Sequence, residues 1–111
     1  MAELGGYWEY PGGKCEADED SRECVVREVC EETGLTVQPV RPLTPIDWQY
    51  ASGALRLYPF LCHILAGEAR AVSADEIRWV FPAELREYRF PPANATLNAE
   101  LIELLSKPGQ Q

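Results

Sequence analysis

The sequence is poor in histidine, with His63 alone, and its four cysteines form no C-x-x-C pair. With no histidine near Cys15, Cys24, Cys30 or Cys62, a zinc site is not expected, because zinc takes clustered Cys and His ligands at short spacing. Each cysteine stands where a small apolar residue would serve, so all four are expected as buried, reduced thiols. Positive charge is scarce as well: 10 Lys+Arg against 18 Asp+Glu leave a formal charge of −8. That imbalance disfavours a nucleic-acid polymer or an anionic membrane as partner. Arg56, Arg70, Arg78, Arg86 and Arg89 are dispersed and outline no nucleic-acid groove. No apolar run approaches the ~20 residues of a membrane span. The first residues, MAELGGYWEY, lack the basic and apolar regions of a signal peptide, so a cytoplasmic protein is expected.

What is present fits a single domain over residues 1–111, a size that buries roughly 65% of the unfolded surface. Tyr7 to Tyr10 reads as a short strand running into the Pro11-Gly12-Gly13 turn. A helix is predicted from Ser21 to Thr33, capped by Asp20 or Ser21 and stopped by Gly34. Thr36 to Leu43 is a weak strand interrupted by Pro39. Ile46–Tyr50 and Leu55–Leu65 read as a hairpin turning at Ala51-Ser52-Gly53. After a loop from Gly67 to Asp75, Glu76–Phe81 is a strand, Pro82–Arg86 a turn of helix, and Asn94–Ser106 a second helix. Leu97, Leu101, Leu104 and Leu105 form one buried stripe on that helix. The tail 107–111 is expected to fray. His63 reads as an outward-facing strand residue, and Trp48 and Trp79 as core or pocket wall.

The acidic residues concentrate on the first helix. At about 100° per residue, Val25, Val26, Val29 and Cys30 share an arc of about 140°, whereas Glu28, Glu31 and Glu32 share another of about 100°. Like-charged neighbours on a helix cost a few tenths of a kcal/mol per pair, which something should offset. Two readings fit this spacing: a solvated acidic face, or three carboxylates converging on a hard divalent cation.

The wider pattern decides between them. From Gly13 to Leu35 the chain places Gly13, Glu19, Arg27, Glu28, Val29, Glu31, Glu32, Gly34 and Leu35 at the fixed positions of the Nudix box. The seven Gly, Glu and Arg identities among these nine arise by chance at on the order of 10⁻⁸ per start position. WEYPGGK before the box and FPPAN, Phe90 to Asn94, resemble the MutT-like branch of Nudix hydrolases. The resemblance implies an α/β fold, the Nudix α/β/α sandwich with a mixed sheet. It also implies Mg²⁺- or Mn²⁺-dependent hydrolysis of nucleoside triphosphates to a monophosphate and pyrophosphate, with oxidised nucleotides such as 8-oxo-dGTP among the substrates.

Carried onto this chain, the resemblance assigns Glu28, Glu31 and Glu32 to the metal, with Glu19 as a supporting carboxylate and the Gly13 carbonyl as a further ligand. Arg27 would orient these carboxylates, and Lys14 would face the phosphates. Tyr10 and Asn94 would contact the base, against the plainer alternatives of core packing for Tyr10 and helix capping for Asn94.

The chain departs from the family pattern in three places. Where the branch often carries a loop glutamate, six residues before Trp79, it has Ser73, with Asp75 and Glu76 as nearby substitutes. Asp18 replaces a customary glycine. The segment ahead of the glycine pair is short, so the usual N-terminal strands are missing and a homodimer is expected to cover the exposed sheet edge. Two other functions stay open: hydrolysis of another nucleoside diphosphate derivative, or a catalytically silent Nudix module that binds nucleotide or a protein partner.

Overall fold

The computed structural model describes residues 1–4, 6–50, 53–72 and 74–106. Ser73, the Ala51-Ser52 turn, the Trp48 side chain and the tail 107–111 lie outside the described residues. In chain order the elements are β1 (Ala2–Leu4), β2 (Tyr7–Glu9), α1 (Ser21–Thr33), β3 (Thr36–Pro42), β4 (Ile46–Tyr50), β5 (Gly53–Leu57), β6 (Phe60–Ala66), β7 (Glu76–Ile77) and α2 (Ala95–Ser106). Short 3₁₀ turns at Pro82–Glu87 and Pro92–Asn94 lead into α2. Among the described residues no helix is long and apolar enough to cross a membrane.

Helix α1 starts and stops where local chemistry dictates. The Asp20 carboxylate accepts from the Glu23 N–H at 2.8 Å while Glu23 accepts from the Asp20 N–H at 3.1 Å, a reciprocal capping box. Gly34 ends the helix in the left-handed region at φ 79° and donates its N–H to the Cys30 carbonyl at 2.9 Å. The buried line is Cys24, Val29 and Thr33, with Val25 and Val26 half-buried. Cys30, expected on the core arc, is exposed, because the face packed on β3 is centred nearer Val29 and Thr33. Thr33 is buried without cost to its hydroxyl, which donates to the Val29 carbonyl and accepts from the Leu35 N–H.

The α/β class is as expected, but the strands form three antiparallel pieces rather than one mixed sheet: β2-β1-β7, β3-β6 and β4-β5. β1 was not anticipated. It lies between β2 and β7, with Glu3 opposite both Trp8 and Glu76, so the N-terminal segment supplies a central strand of its own small sheet. The apolar arm Leu55–Leu65 is two strands, not one. Pro59 lacks the N–H that a continuous ladder needs, so β5 pairs with β4 and β6 with β3. The β3–β6 register shifts between Pro39 and Arg41, where the second proline interrupts pairing. The predicted strand Glu76–Phe81 closes at Ile77; Trp79, expected as core or pocket wall, is 67% exposed, and Phe81 is 78% exposed. Both lie beyond the two residues that pair with β1, so no sheet layer covers them.

Two small apolar clusters hold these layers. Val29, Leu35 and Val37 join α1 to β3, with Val25, Cys62 and Ala69 against them. Leu43, Ile46 and Leu97 join the β3–β4 connection to α2, with Tyr10, Leu61, Ala93 and Leu101 around them. His63 is exposed on β6, as read.

The cysteines require a correction. Cys15 and Cys24 form a disulfide, Cys30 is exposed, and Cys62 is half-buried, so the set is not four buried thiols. The loop after Gly13 folds back across α1 and brings the two Cα atoms to 5.2 Å, within bridging distance.

Candidate functional site

The loop from Pro11 to Asp20 lies over the acidic face of α1. Its backbone approaches closely because two successive glycines permit it. The Gly12 N–H donates to Glu32 Oε2 at 3.0 Å. Gly13 faces Glu28 so tightly that a Cβ there would stand 2.7 Å from the Glu28 carboxyl carbon. Any larger residue would displace that carboxylate. Lys14 follows, its carbonyl accepting from Arg27 Nη2 at 3.0 Å. Its ammonium is exposed and pairs with no carboxylate among the described residues.

Arg27 is the hub of this face. Its guanidinium donates to both oxygens of Glu19 at 2.7 and 2.9 Å, to Glu28 Oε1 at 2.6 Å and to Glu31 Oε2 at 2.8 Å. Glu16 lies at 4.0 Å. The Arg27 hydrogen bond, reinforced by the Glu16 backbone N–H, holds Glu19 down to about 2 from an ordinary 4.5. The same partners, Glu19 first, raise Arg27 further above its usual value.

Glu32 behaves in the opposite sense. Burial raises its pKa first, and the charges of Glu28, Glu9 and Glu31 raise it further, against the lowering effect of the Gly12 N–H. Among the described residues nothing donates to Glu28 Oε2 or Glu32 Oε1. Two carboxylate oxygens left without donors are the hard-oxygen chemistry that a divalent cation takes, and the Gly13 backbone lies against one of the two carboxylates. The closeness of Gly13 to Glu28, which a side chain would abolish, is the feature that fits such an ion.

Thus Arg27 gathers Glu19, Glu28 and Glu31, with Gly13 against Glu28 and Glu32 tied to the loop through Gly12; among the described residues Glu28, Glu31 and Glu32 do not close into one ion-sized cluster. Tyr10 and Asn94 belong to a second group, at the start of α2. The Tyr10 ring stacks on Phe90 with centroids 5.2 Å apart, and its hydroxyl donates to Asn98 Oδ1 at 2.5 Å. Burial pushes the Tyr10 hydroxyl up to about 12. Asn94 is half-buried, its N–H bonded to the Pro91 carbonyl, and among the described residues its side chain makes no capping bond to α2.

Sequence reasoning missed Glu9, whose charge acts on Glu32. Its place just before the glycine turn that folds onto α1 was the available signal. It also missed Asn98, one turn beyond Asn94. Of the substitutes near Ser73, Glu76 turns its carboxylate to Arg78 at 2.6 Å, and the Asp75 N–H bonds to the Glu3 carbonyl.

Comparison with known proteins agrees with this geometry. The NUDIX domain model matches residues 2–106. A Mycobacterium tuberculosis (strain ATCC 25618 / H37Rv) protein provisionally called 8-oxo-dGTP diphosphatase 2 is 36% identical over 105 residues, covering 94% of this chain and 74% of the relative. The 8-oxo-dGTP diphosphatase of Escherichia coli K12 is 30% identical over 103 residues, covering 93% and 80%. Among solved structures, the E. coli ORF135 protein superposes with a TM-score of 0.76 at 28% identity, covering 94% of this chain and 75% of that one. A structure from work on MutT of Aliivibrio salmonicida and Vibrio cholerae gives 0.70 at 32% identity, covering 89% and 77%. An α/β fold with a glycine loop over a carboxylate-bearing helix defines a class of hydrolases that act at pyrophosphate bonds. The chain belongs to the Nudix family, in the MutT-like branch of its pyrophosphohydrolases.

Proposed function

We propose that this protein hydrolyses nucleoside triphosphates to a monophosphate and pyrophosphate, with oxidised purine nucleotides such as 8-oxo-dGTP as the first candidates. The observation that carries the reading is the close approach of the glycine loop to two carboxylates of α1, Gly13 against Glu28 and the Gly12 N–H bonded to Glu32. Glu28, Glu32 and the Gly13 carbonyl would hold Mg²⁺ or Mn²⁺, with Glu31 joining from its exposed position and Glu19 supporting them through Arg27. Bound there, the ion would neutralise phosphate charge and lower the pKa of a water for in-line attack.

The chain's own residues do the rest. Arg27 fixes the carboxylates by charge-assisted hydrogen bonds, so that they are oriented before substrate arrives. The exposed Lys14 ammonium meets the phosphate chain and offsets its charge. Asn94 reads the edge of the base. Tyr10, anchored by Phe90 and Asn98, forms the adjoining wall. Support for the substrate class comes from the E. coli relative's activity as an 8-oxo-dGTP diphosphatase. The net charge of −8 supports a free nucleotide over a nucleic-acid polymer, and a cytoplasmic site of action is consistent with such a substrate.

The partner we propose for the protein itself is a second copy. Leu57 on β5 and Ile64 and Leu65 on β6 are 41%, 50% and 60% exposed, and a symmetric dimer would cover exposed apolar side chains of this kind. One observation favours the rival reading of a silent nucleotide-binding module: Glu76, a candidate for the loop carboxylate role, is committed to Arg78.

Pyrophosphate release from ordinary and oxidised nucleoside triphosphates, with Mg²⁺, Mn²⁺ or a chelator, separates the two. Metal-dependent turnover that disappears in Glu31→Gln and Glu32→Gln supports the enzyme. Nucleotide uptake without pyrophosphate in a folded sample supports the module. Mass in solution, recorded on the same sample, tests the dimer.

A further inference from the structure

We propose that Cys15 and Cys24 form a thiol–disulfide switch that docks or releases the glycine loop, exchanging with small thiols and disulfides of the glutathione class. The proposal rests on the metal reading above only for its consequence at the cation site.

The bridge joins two segments whose relative position matters. Cys15 directly follows Lys14 on the loop, and Cys24 lies one helical turn before Glu28. Every residue from Gly12 to Asp18 is exposed. Cys24, by contrast, is only 4% exposed. From Gly12 to Asp18 the loop therefore buries no side chain of its own, and the disulfide is the covalent anchor of this stretch to the packed face of α1. At the far end of the loop Glu19 is held twice by Arg27 and accepts from the Glu16 N–H; between Gly12 and Asp18 the other ties to α1 are hydrogen bonds from Gly12 to Glu32 and from Arg27 to the Lys14 carbonyl and the 4.0 Å Glu16–Arg27 pair. Exposed bonds of that kind compete with water and hold a segment weakly.

Accessibility assigns the direction of exchange. An incoming thiolate attacks the exposed Cys15 sulfur, the Cys15–Cys24 bond breaks, and Cys24 leaves as a thiolate that takes up a proton. A second thiol then attacks the mixed disulfide and frees the Cys15 thiol. In sum the bridge and two small thiols become two protein thiols and one small disulfide; the reverse reaction, with glutathione disulfide as oxidant, restores the bond. Closed, the bridge holds Gly13 against Glu28. Open, the loop is released and the Gly13 carbonyl is no longer fixed beside the carboxylates.

The test uses the full chain equilibrated in glutathione buffers of graded ratio, with Cys30→Ser to remove the other exposed thiol. Three quantities are read: the Cys15–Cys24-linked peptide, the rate of trypsin cleavage after Lys14, and Mn²⁺ affinity. The linked peptide is expected to titrate reversibly. Cleavage at Lys14 should rise about tenfold on reduction, and Mn²⁺ affinity should fall severalfold in step. Cys15→Ser should cleave at the fast rate and ignore the glutathione ratio. The proposal is overturned if no linked peptide forms in oxidising buffer, or if cleavage runs at one rate in both states. Absence of Mn²⁺ binding in either state overturns the metal assignment instead and leaves the thiol and cleavage readings intact.

Discussion

Arg27 and Glu19 are joined twice, Nε to Oε2 at 2.7 Å and Nη2 to Oε1 at 2.9 Å. Two parallel bonds fix the plane of the guanidinium against the carboxylate, which a single contact would leave free to rotate. The remaining nitrogen, Nη1, then reaches both Glu28 and Glu31. Part of the like-charge repulsion on α1 is therefore offset within the protein itself, before any cation binds.

This pairing predicts a specific acid sensitivity. Glu19 titrates at about 2 in the fold because Arg27 favours its charged form. A depressed carboxylate pKa stabilises the fold above its ordinary value of 4.5, and that contribution is lost as pH falls toward 2. Thermal melts between pH 7 and pH 2 should show a steeper loss for the parent than for Glu19→Gln. Parallel curves would show that the pair contributes nothing to stability.

Glu32 carries the opposite sign. Burial and the charges of Glu28, Glu9 and Glu31 raise its pKa, so its contribution is present at low pH and lost as pH rises through the folded value. In chelator near pH 7.5, Glu32→Gln is expected to melt about 1–3 °C above the parent, a small effect because the group is partly solvated. With Mg²⁺ present the order should reverse, since only the parent gains from binding the ion.

Gly13→Ala separates site from fold. The added Cβ would meet the end of the flexible Glu28 side chain, which can swing aside. Stability should change by about 0.5 kcal/mol or less in urea denaturation. Mn²⁺ affinity should fall about tenfold, because the displaced carboxylate leaves the donor set.

Leu97→Ala tests the second apolar cluster. Leu97 is 5% exposed against Leu43 and Ile46, and its truncation opens a cavity between α2 and the β3–β4 connection. A loss of about 2–3 kcal/mol is expected from the urea midpoint. For a domain of this size that is a large share of the total.

Much of this was legible along the chain. Both helices fall within a residue of their predicted bounds, because Asp20, Glu23 and Gly34 act on backbone groups only a few residues away. The placing of Glu28, Glu31 and Glu32 on one face of α1 follows from helical spacing alone. Pro59 was equally visible, yet the long apolar stretch around it outweighed it, and the break it makes separates β5 from β6.

Other features depend on which residues meet in space. Sequence spacing of 9 between Cys15 and Cys24 carries no sign of a bridge; the bond exists because the glycine loop folds back over α1. Glu9 reaches Glu32, and Tyr10 reaches Asn98, across separations that periodicity does not encode. Trp79 has the composition of a core residue and lies in solvent because β7 stops two residues before it. The sequence by itself determined the helices, their caps and the carboxylate face, since each is a short-range property of the backbone. Only the tertiary structure decided the bridge, the contacts of Glu9 and Tyr10 and the exposed aromatics, because each depends on how distant segments pack.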